Sequence, residues 1–203
     1  VRLARRHGFV SARHLVRGFF KIILYRLAIL DIETWYEQNI AMIAGLTPAD
    51  MERFAAQWFD ELARPTVYKQ AYDLVRAHQD HGHQVVIISN APEFMIAPVA
   101  RALQVQDVIG TRLEIKDGKF TGRLVKPLCY GKGKRDYAVH WAAQQGIDLK
   151  PAYFYTDSRF DLALMRVVGH PVATNPDMRL RRLARRNGWS IMDFARVSAF
   201  PDN

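Results

Sequence analysis

One cysteine, Cys129, occurs in 203 residues, which excludes an internal disulfide and fits a reducing compartment, the cytoplasm by default. No apolar run reaches the roughly 18 uncharged residues that a membrane-spanning helix needs. Even GFFKIILYRLAIL is interrupted by Lys21 and Arg26, so a soluble protein with no membrane span is expected. Internal repeats and low-complexity tracts are also missing, which excludes solenoids and linker-rich chains. Acidic residues are in deficit, 20 against 29 Lys and Arg, leaving a formal charge of +9. That charge suits nucleic acid, acidic lipid or phosphorylated metabolites without choosing among them. Its main clusters are RLARRHG at the start and RLRRLARRNG near the end. The second has a helical pattern with Leu180 and Leu183 inward, and reads as a solvated helix face rather than a nucleic-acid patch.

What is present is enough apolar residue, 49%, to build a real core. Residues 1–78 carry helical signals and almost no strand signals. SARHLVRGFFKIILYRLAIL places Leu15, Phe19, Ile22, Ile23 and Leu27 at helical spacing. DIETWYEQNIAMIAG runs from an acidic start to Gly45, and TPADMERFAAQWFDEL opens with Thr47 as cap and Pro48 at the first helical position. The aromatic residues Phe19, Phe20, Trp35, Phe54, Trp58 and Phe59 are expected in the core of this helical module rather than around a substrate.

Near residue 81 the texture changes. HQVVIISNAP is an apolar run of strand length ending in turn residues, the mark of a strand buried on both faces. EFMIAPVARAL then reads as a helix, VIGTRLEIKDGKFTGRLV as a strand and a hairpin turning at Asp117 and Gly118, and GKGKRDYAVHWAAQQG as a helix ending at Gly146. PAYFYTD, HPVATNP and WSIMDF supply three more strands, separated by helical stretches at 158–168 and 177–187. Strands alternating with helices predict a Rossmann-like α/β domain with a parallel sheet over residues 79–203.

Three features fall at predicted strand ends or at a helix start. Ser89 and Asn90 close the first strand, Lys134 follows the glycines of GKGK, and Asp157 and Asp161 follow the strand YFYT. A hydroxyl with backbone N–H groups can hold phosphate oxygens, a lysine can neutralise phosphoryl charge, and carboxylates suit magnesium. Singly each is weak. Asp157 could equally cap the next helix, with Asp161 on its first turn. Together, in order, they describe a phosphate site.

In these segments the sequence resembles the haloacid dehalogenase superfamily, and within it the phosphoserine-phosphatase-like branch with a helical cap. VVIISNAPEFMIAPVARAL is similar to the branch's second motif, CYGKGKRDYAV to the third, YFYTDSRFDLALM to the fourth and HPVATNPDMRLRRLARRNGW to its closing segment. The resemblance implies that Ser89, with Asn90 beside it, binds phosphate and that Lys134 does so too, with Lys132 as the fallback. It also implies Asp157 as a ligand of Mg2+ and Asp161 as a second acid at or supporting the metal. The implied activity is phosphate monoester hydrolysis through an aspartyl-phosphate, on a small phosphorylated substrate.

One motif is missing. The family's DxDx(T/V), which carries the nucleophile at the end of a central first strand, has no counterpart: DIET at 31–34 has one residue too few between its acids and follows no strand. The expectation is a fragment of a longer phosphatase that is inactive as it stands. The alternatives are a non-catalytic relative that binds a phosphorylated ligand or nucleic acid, or a phosphotransferase. The glycine pair usual after the second-motif serine is replaced by SNAPE, which argues against phosphoserine as the substrate.

Overall fold

The computed structural model describes residues 32–200, so the helix expected through Leu15–Leu27, Phe19 and Phe20, and the first basic cluster, lie outside the described residues. Seven α-helices and seven strands occur among them. These are α1 Ile32–Ile40, α2 Pro48–Trp58, α3 Lys69–Asp80, β1 Val86–Pro92, α4 Glu93–Ala102, β2 Asp107–Thr111, β3 Leu113–Lys116, β4 Lys119–Leu124, α5 Lys132–Gln145, β5 Tyr153–Thr156, α6 Leu162–Met165, β6 His170–Thr174, α7 Met178–Arg186 and β7 Ser190–Met192. By their contacts these residues form two compact units, 32–54 with 112–126, and 55–111 with 127–200. No helix among them is long and apolar enough to cross a membrane.

In the first unit the β3–β4 hairpin turns at Asp117 and Gly118, both with positive φ, as the Asp-Gly pair predicts. Its strand β4 grips the end of α1: Gly45 N–H donates to the Phe120 carbonyl at 2.8 Å and Phe120 N–H to the Leu46 carbonyl at 2.9 Å. Those bonds draw the chain out of the helix, which stops at Ile40 and tightens into a 3₁₀ turn over Ala41–Ile43 instead of running to Gly45. Helix α2 starts as expected: Asp50 N–H donates to the Thr47 hydroxyl at 3.2 Å, and the Asp50 carboxylate accepts from Thr47 N–H at 3.0 Å. Tyr36 is buried and Trp35 and Phe54 half-buried, while in the second unit Phe59 is buried and Trp58 half-buried.

The second unit holds two parallel sheets, β1–β2 and β5–β6–β7. β1 was expected buried on both faces, yet all seven of its residues are only half-buried. The reason is lateral: among the described residues β1 pairs with β2 alone, and its other edge carries no strand. Strand β5 likewise pairs only with β6. Beside β6 the core gathers Met165, Ala173, Leu180 and Ala184, with Phe154, Leu162, Trp189 and Ile191 packed against it. Helix α7 has an Asp177 cap whose carboxylate accepts from Leu180 N–H at 2.7 Å. It turns Leu180 inward and leaves Arg179, Arg182, Arg185 and Arg186 exposed, as a solvated basic face should.

Helix α3 ends in a Schellman motif. Gly82 takes φ +73°, its N–H donates to the Gln79 carbonyl at 2.9 Å, and His83 N–H donates to the His78 carbonyl at 3.0 Å. The His78 ring meets the His83 ring and, through Nε2, the Tyr155 hydroxyl of β5 at 2.8 Å. Burial first, then the neighbouring His83 and His81 imidazoles, hold His78 below its ordinary value of 6.5. The unfolded chain therefore binds the proton more tightly, so stability should be complete above about pH 6.5 and fall as pH drops below it. Urea midpoints at pH 7.5 and about pH 5 should show that fall, reduced in His78→Gln. An undiminished fall in the variant would remove His78 as its source.

Candidate active site

The site is built where strands β1 and β5 end and α5 begins. β1 does not stop at Asn90 as expected. The pairs Ile88–Ile109 and Pro92–Thr111 show that Ser89, Asn90 and Ala91 form a bulge and that the strand resumes at Pro92. Buried Thr111 holds the bulge by donating to the Asn90 carbonyl at 2.7 Å, and Ser89 Oγ accepts from Ala91 N–H at 3.2 Å.

After β4 the chain closes on the start of α5. Gly133 admits the Leu128 carbonyl so closely that a Cβ there would stand 2.1 Å from its oxygen. This contact seats the loop 127–131 under the helix and buries Cys129 completely. The first turn of α5 then aims Lys134 inward, where it is 8% exposed, while Lys132 is exposed. Two residues apart on a helix, the two lysines point to opposite sides.

Lys134 Nζ meets both oxygens of Asp161, Oδ1 at 2.7 Å and Oδ2 at 2.8 Å, and the Thr156 hydroxyl donates to Oδ2 at 2.7 Å. Thr156 also accepts from Ser158 N–H at 3.0 Å, so one side chain ties the end of β5 to the turn behind it. The helical stretch expected over 158–168 is shorter: a 3₁₀ turn over Arg159–Asp161 leads into α6. Ser158 caps that turn, its hydroxyl accepting from Phe160 N–H, and a hydroxyl bonded this locally favours a tight first turn over a regular one. The capping role that Asp157 could have filled thus falls to Ser158, and Asp157 is left exposed at the strand's end.

Cys129 lies among these groups. Burial first pushes its thiol up to about 11, against the opposing charge of Lys134, with Asp161 and Glu93 adding to the rise. It is therefore a buried, protonated packing residue. Sequence reasoning used it only to judge the compartment. It missed Thr156 as well, whose position immediately before Asp157 is the signal that could have found it.

Among the described residues no three His, Cys, Asp or Glu side chains gather into a metal cage. Magnesium needs only one or two carboxylates, the rest of its shell being water and substrate phosphate. Asp157, a lone exposed carboxylate, fits that donor role. The cation that Asp161 faces in the structure is the Lys134 ammonium.

The profile of the haloacid dehalogenase-like hydrolases matches residues 1–166. The chain belongs to that family. A phosphoserine phosphatase of Mycobacterium tuberculosis is 36% identical over 164 residues, 81% of this chain and 53% of its own length. A histidinol-phosphatase of Neisseria meningitidis serogroup C is 33% identical over 174 residues, covering 84% of this chain and 78% of that protein. A protein of unknown function from Bordetella pertussis Tohama I superposes with a TM-score of 0.83 at 30% identity, over 94% of this chain and 88% of that one. The family's mixed α/β fold and the phosphoserine-phosphatase-like resemblance are thereby established for this chain.

Proposed function

We propose that the chain carries the phosphate-binding half of a magnesium-dependent phosphatase that hydrolyses small phosphate monoesters, acting in the cytoplasm. The carrying observation is the buried Lys134–Asp161–Thr156 cluster at the end of β5. The substrate phosphate would be held by Lys134 and by the Ser89 hydroxyl and nearby N–H groups. Asp161 and Thr156 hold the ammonium in position before substrate arrives, which avoids reorganising it during phosphoryl transfer. Magnesium, when bound at Asp157, supplies charge neutralisation to the transferring group.

The nucleophile in this reading is an aspartate on a strand that pairs with β1 and β5 along the edges that carry no strand among the described residues, giving the order β2, β1, added strand, β5, β6, β7. Its carboxylate would attack phosphorus and expel the alcohol, and water would then release phosphate from the acyl phosphate. The substrate class is small phosphate monoesters; phosphoserine and histidinol phosphate, named for the two relatives, head the panel to screen.

The test compares the chain of 203 residues with one extended by an upstream strand ending in DxDxT. Only the extended protein should hydrolyse p-nitrophenyl phosphate with magnesium. Asp157→Asn in it should lower turnover by roughly two orders of magnitude with the fold intact, since charge is removed at constant volume. A monomeric, folded, unextended chain that turned over phosphate esters would place the nucleophile among its own residues and end this reading. Full activity of Asp157→Asn would end the metal assignment alone.

A further inference from the structure

At the end of α3 lies a second cluster of chemistry-bearing side chains, on elements separate from Lys134 and Asp161. The stretch HQDHGH, residues 78–83, forms the Schellman motif described above. That motif sets the third residue before the helix cap against the second after it, a contact that is ordinarily apolar. Here the two are His78 and His83, with ring centroids 5.1 Å apart and Nδ1 atoms 2.8 Å apart. Two imidazoles in place of two apolar side chains forgo that contact and bring their Nδ1 atoms within hydrogen-bond distance of each other. The backbone bond from His83 N–H to the His78 carbonyl fixes their approach. The Tyr155 hydroxyl occupies His78 Nε2, leaving Nδ1 as the ligating atom, in the way outer oxygens orient metal-bound histidines.

We propose that His78 and His83 form a binding site for a square-planar or octahedral transition-metal ion, nickel(II) or copper(II), held by both Nδ1 atoms with water completing its shell. Metal–nitrogen bonds of about 2.0–2.1 Å place ligands at a right angle roughly 2.9 Å apart and tetrahedral ligands roughly 3.4 Å apart. The observed 2.8 Å fits the first and not the second, so zinc in tetrahedral coordination is disfavoured. His81 stands beside the pair: its ring is 6.0 Å from that of His83, and its Nδ1 meets the Ala77 carbonyl at 2.7 Å. With no third side chain gathered, the ion keeps exchangeable positions. The competing account is an N–H···N hydrogen bond between two neutral rings, which needs no ion.

The experiment is a titration of the untagged chain of 203 residues with nickel and copper chlorides, followed by calorimetry, with copper-loaded samples read by electron paramagnetic resonance. The expected result is one saturable ion per chain and a copper spectrum split by two equivalent imidazole nitrogens. His83→Gln changes an exposed side chain and keeps the backbone bonds of the turn. It should weaken binding by about ten-fold or more and remove one nitrogen from the spectrum, and Tyr155→Phe should weaken binding by about ten-fold with both nitrogens retained. Unchanged affinity and spectrum in His83→Gln would overturn the proposal. So would the absence of saturable binding at millimolar metal in a chain shown by circular dichroism to be folded, which would leave the hydrogen bond as the full account.

Discussion

Lys134→Met, in a form of the protein extended by the nucleophile strand, is expected to lower phosphate monoester turnover by roughly two or more orders of magnitude. That is the scale of losing one preorganised charge at a transition state. The same change leaves Asp161, 3% exposed, without its cation, and breaking a buried pair from one side costs about 3–5 kcal/mol. The two effects separate in the double variant Lys134→Met with Asp161→Asn, which should recover part of the stability and none of the activity. Lys132→Ala, at an exposed position, should stay within about 0.5 kcal/mol and keep most activity. Urea unfolding and steady-state assays of the four proteins give the answer. If Lys132→Ala proved the damaging change, α5 would have to start elsewhere and the ion pair with Asp161 would have no catalytic meaning.

Gly133→Ala should be nearly as harmful for a different reason. The added Cβ would meet the Leu128 oxygen at 2.1 Å and its carbonyl carbon at 3.3 Å, both backbone atoms that no side-chain rotation can clear. Either the loop 127–131 lifts off, exposing Cys129, or the first turn of α5 shifts and takes Lys134 with it. A loss of about 2 kcal/mol or more is expected, a fall of roughly 4–8 °C in Tm for a chain of this size. Reaction of Cys129 with a thiol reagent should also quicken, because burial is the main cause that keeps it protonated. A variant with wild-type Tm and an unreactive Cys129 would show that the loop does not sit as described.

The glycines of GKGK mark a helix start in the sequence, but they do not say which lysine turns inward. The answer depends on helix phase, which the packing of Leu128 against Gly133 sets. Asp157 and Asp161 look like a pair from their spacing of four, because that spacing shares a face on a helix. Here Asp157 precedes the helix and Ser158 caps the turn, so one carboxylate is exposed and the other buried on Lys134. Ser89 reads as a strand end because SNAP is turn-like, whereas pairing with β2 carries the strand past it through a bulge. The hairpin at Asp117 and Gly118 was legible from its turn. Its attachment to residues 41–46 was not, since the bonds of Phe120 to Gly45 and Leu46 leave no mark in either segment.

By itself the sequence determined the α/β class, the order of helices and strands from residue 86 onward and the residues eligible for a phosphate site. Periodicity, caps and turn residues act within a few positions of one another, so they are written locally. Only the tertiary structure decided which of those residues meet. Lys134 and Asp161 are 27 positions apart and His78 and Tyr155 are 77 apart. Contacts at such separations follow from how whole elements pack, and no single segment of sequence contains that information.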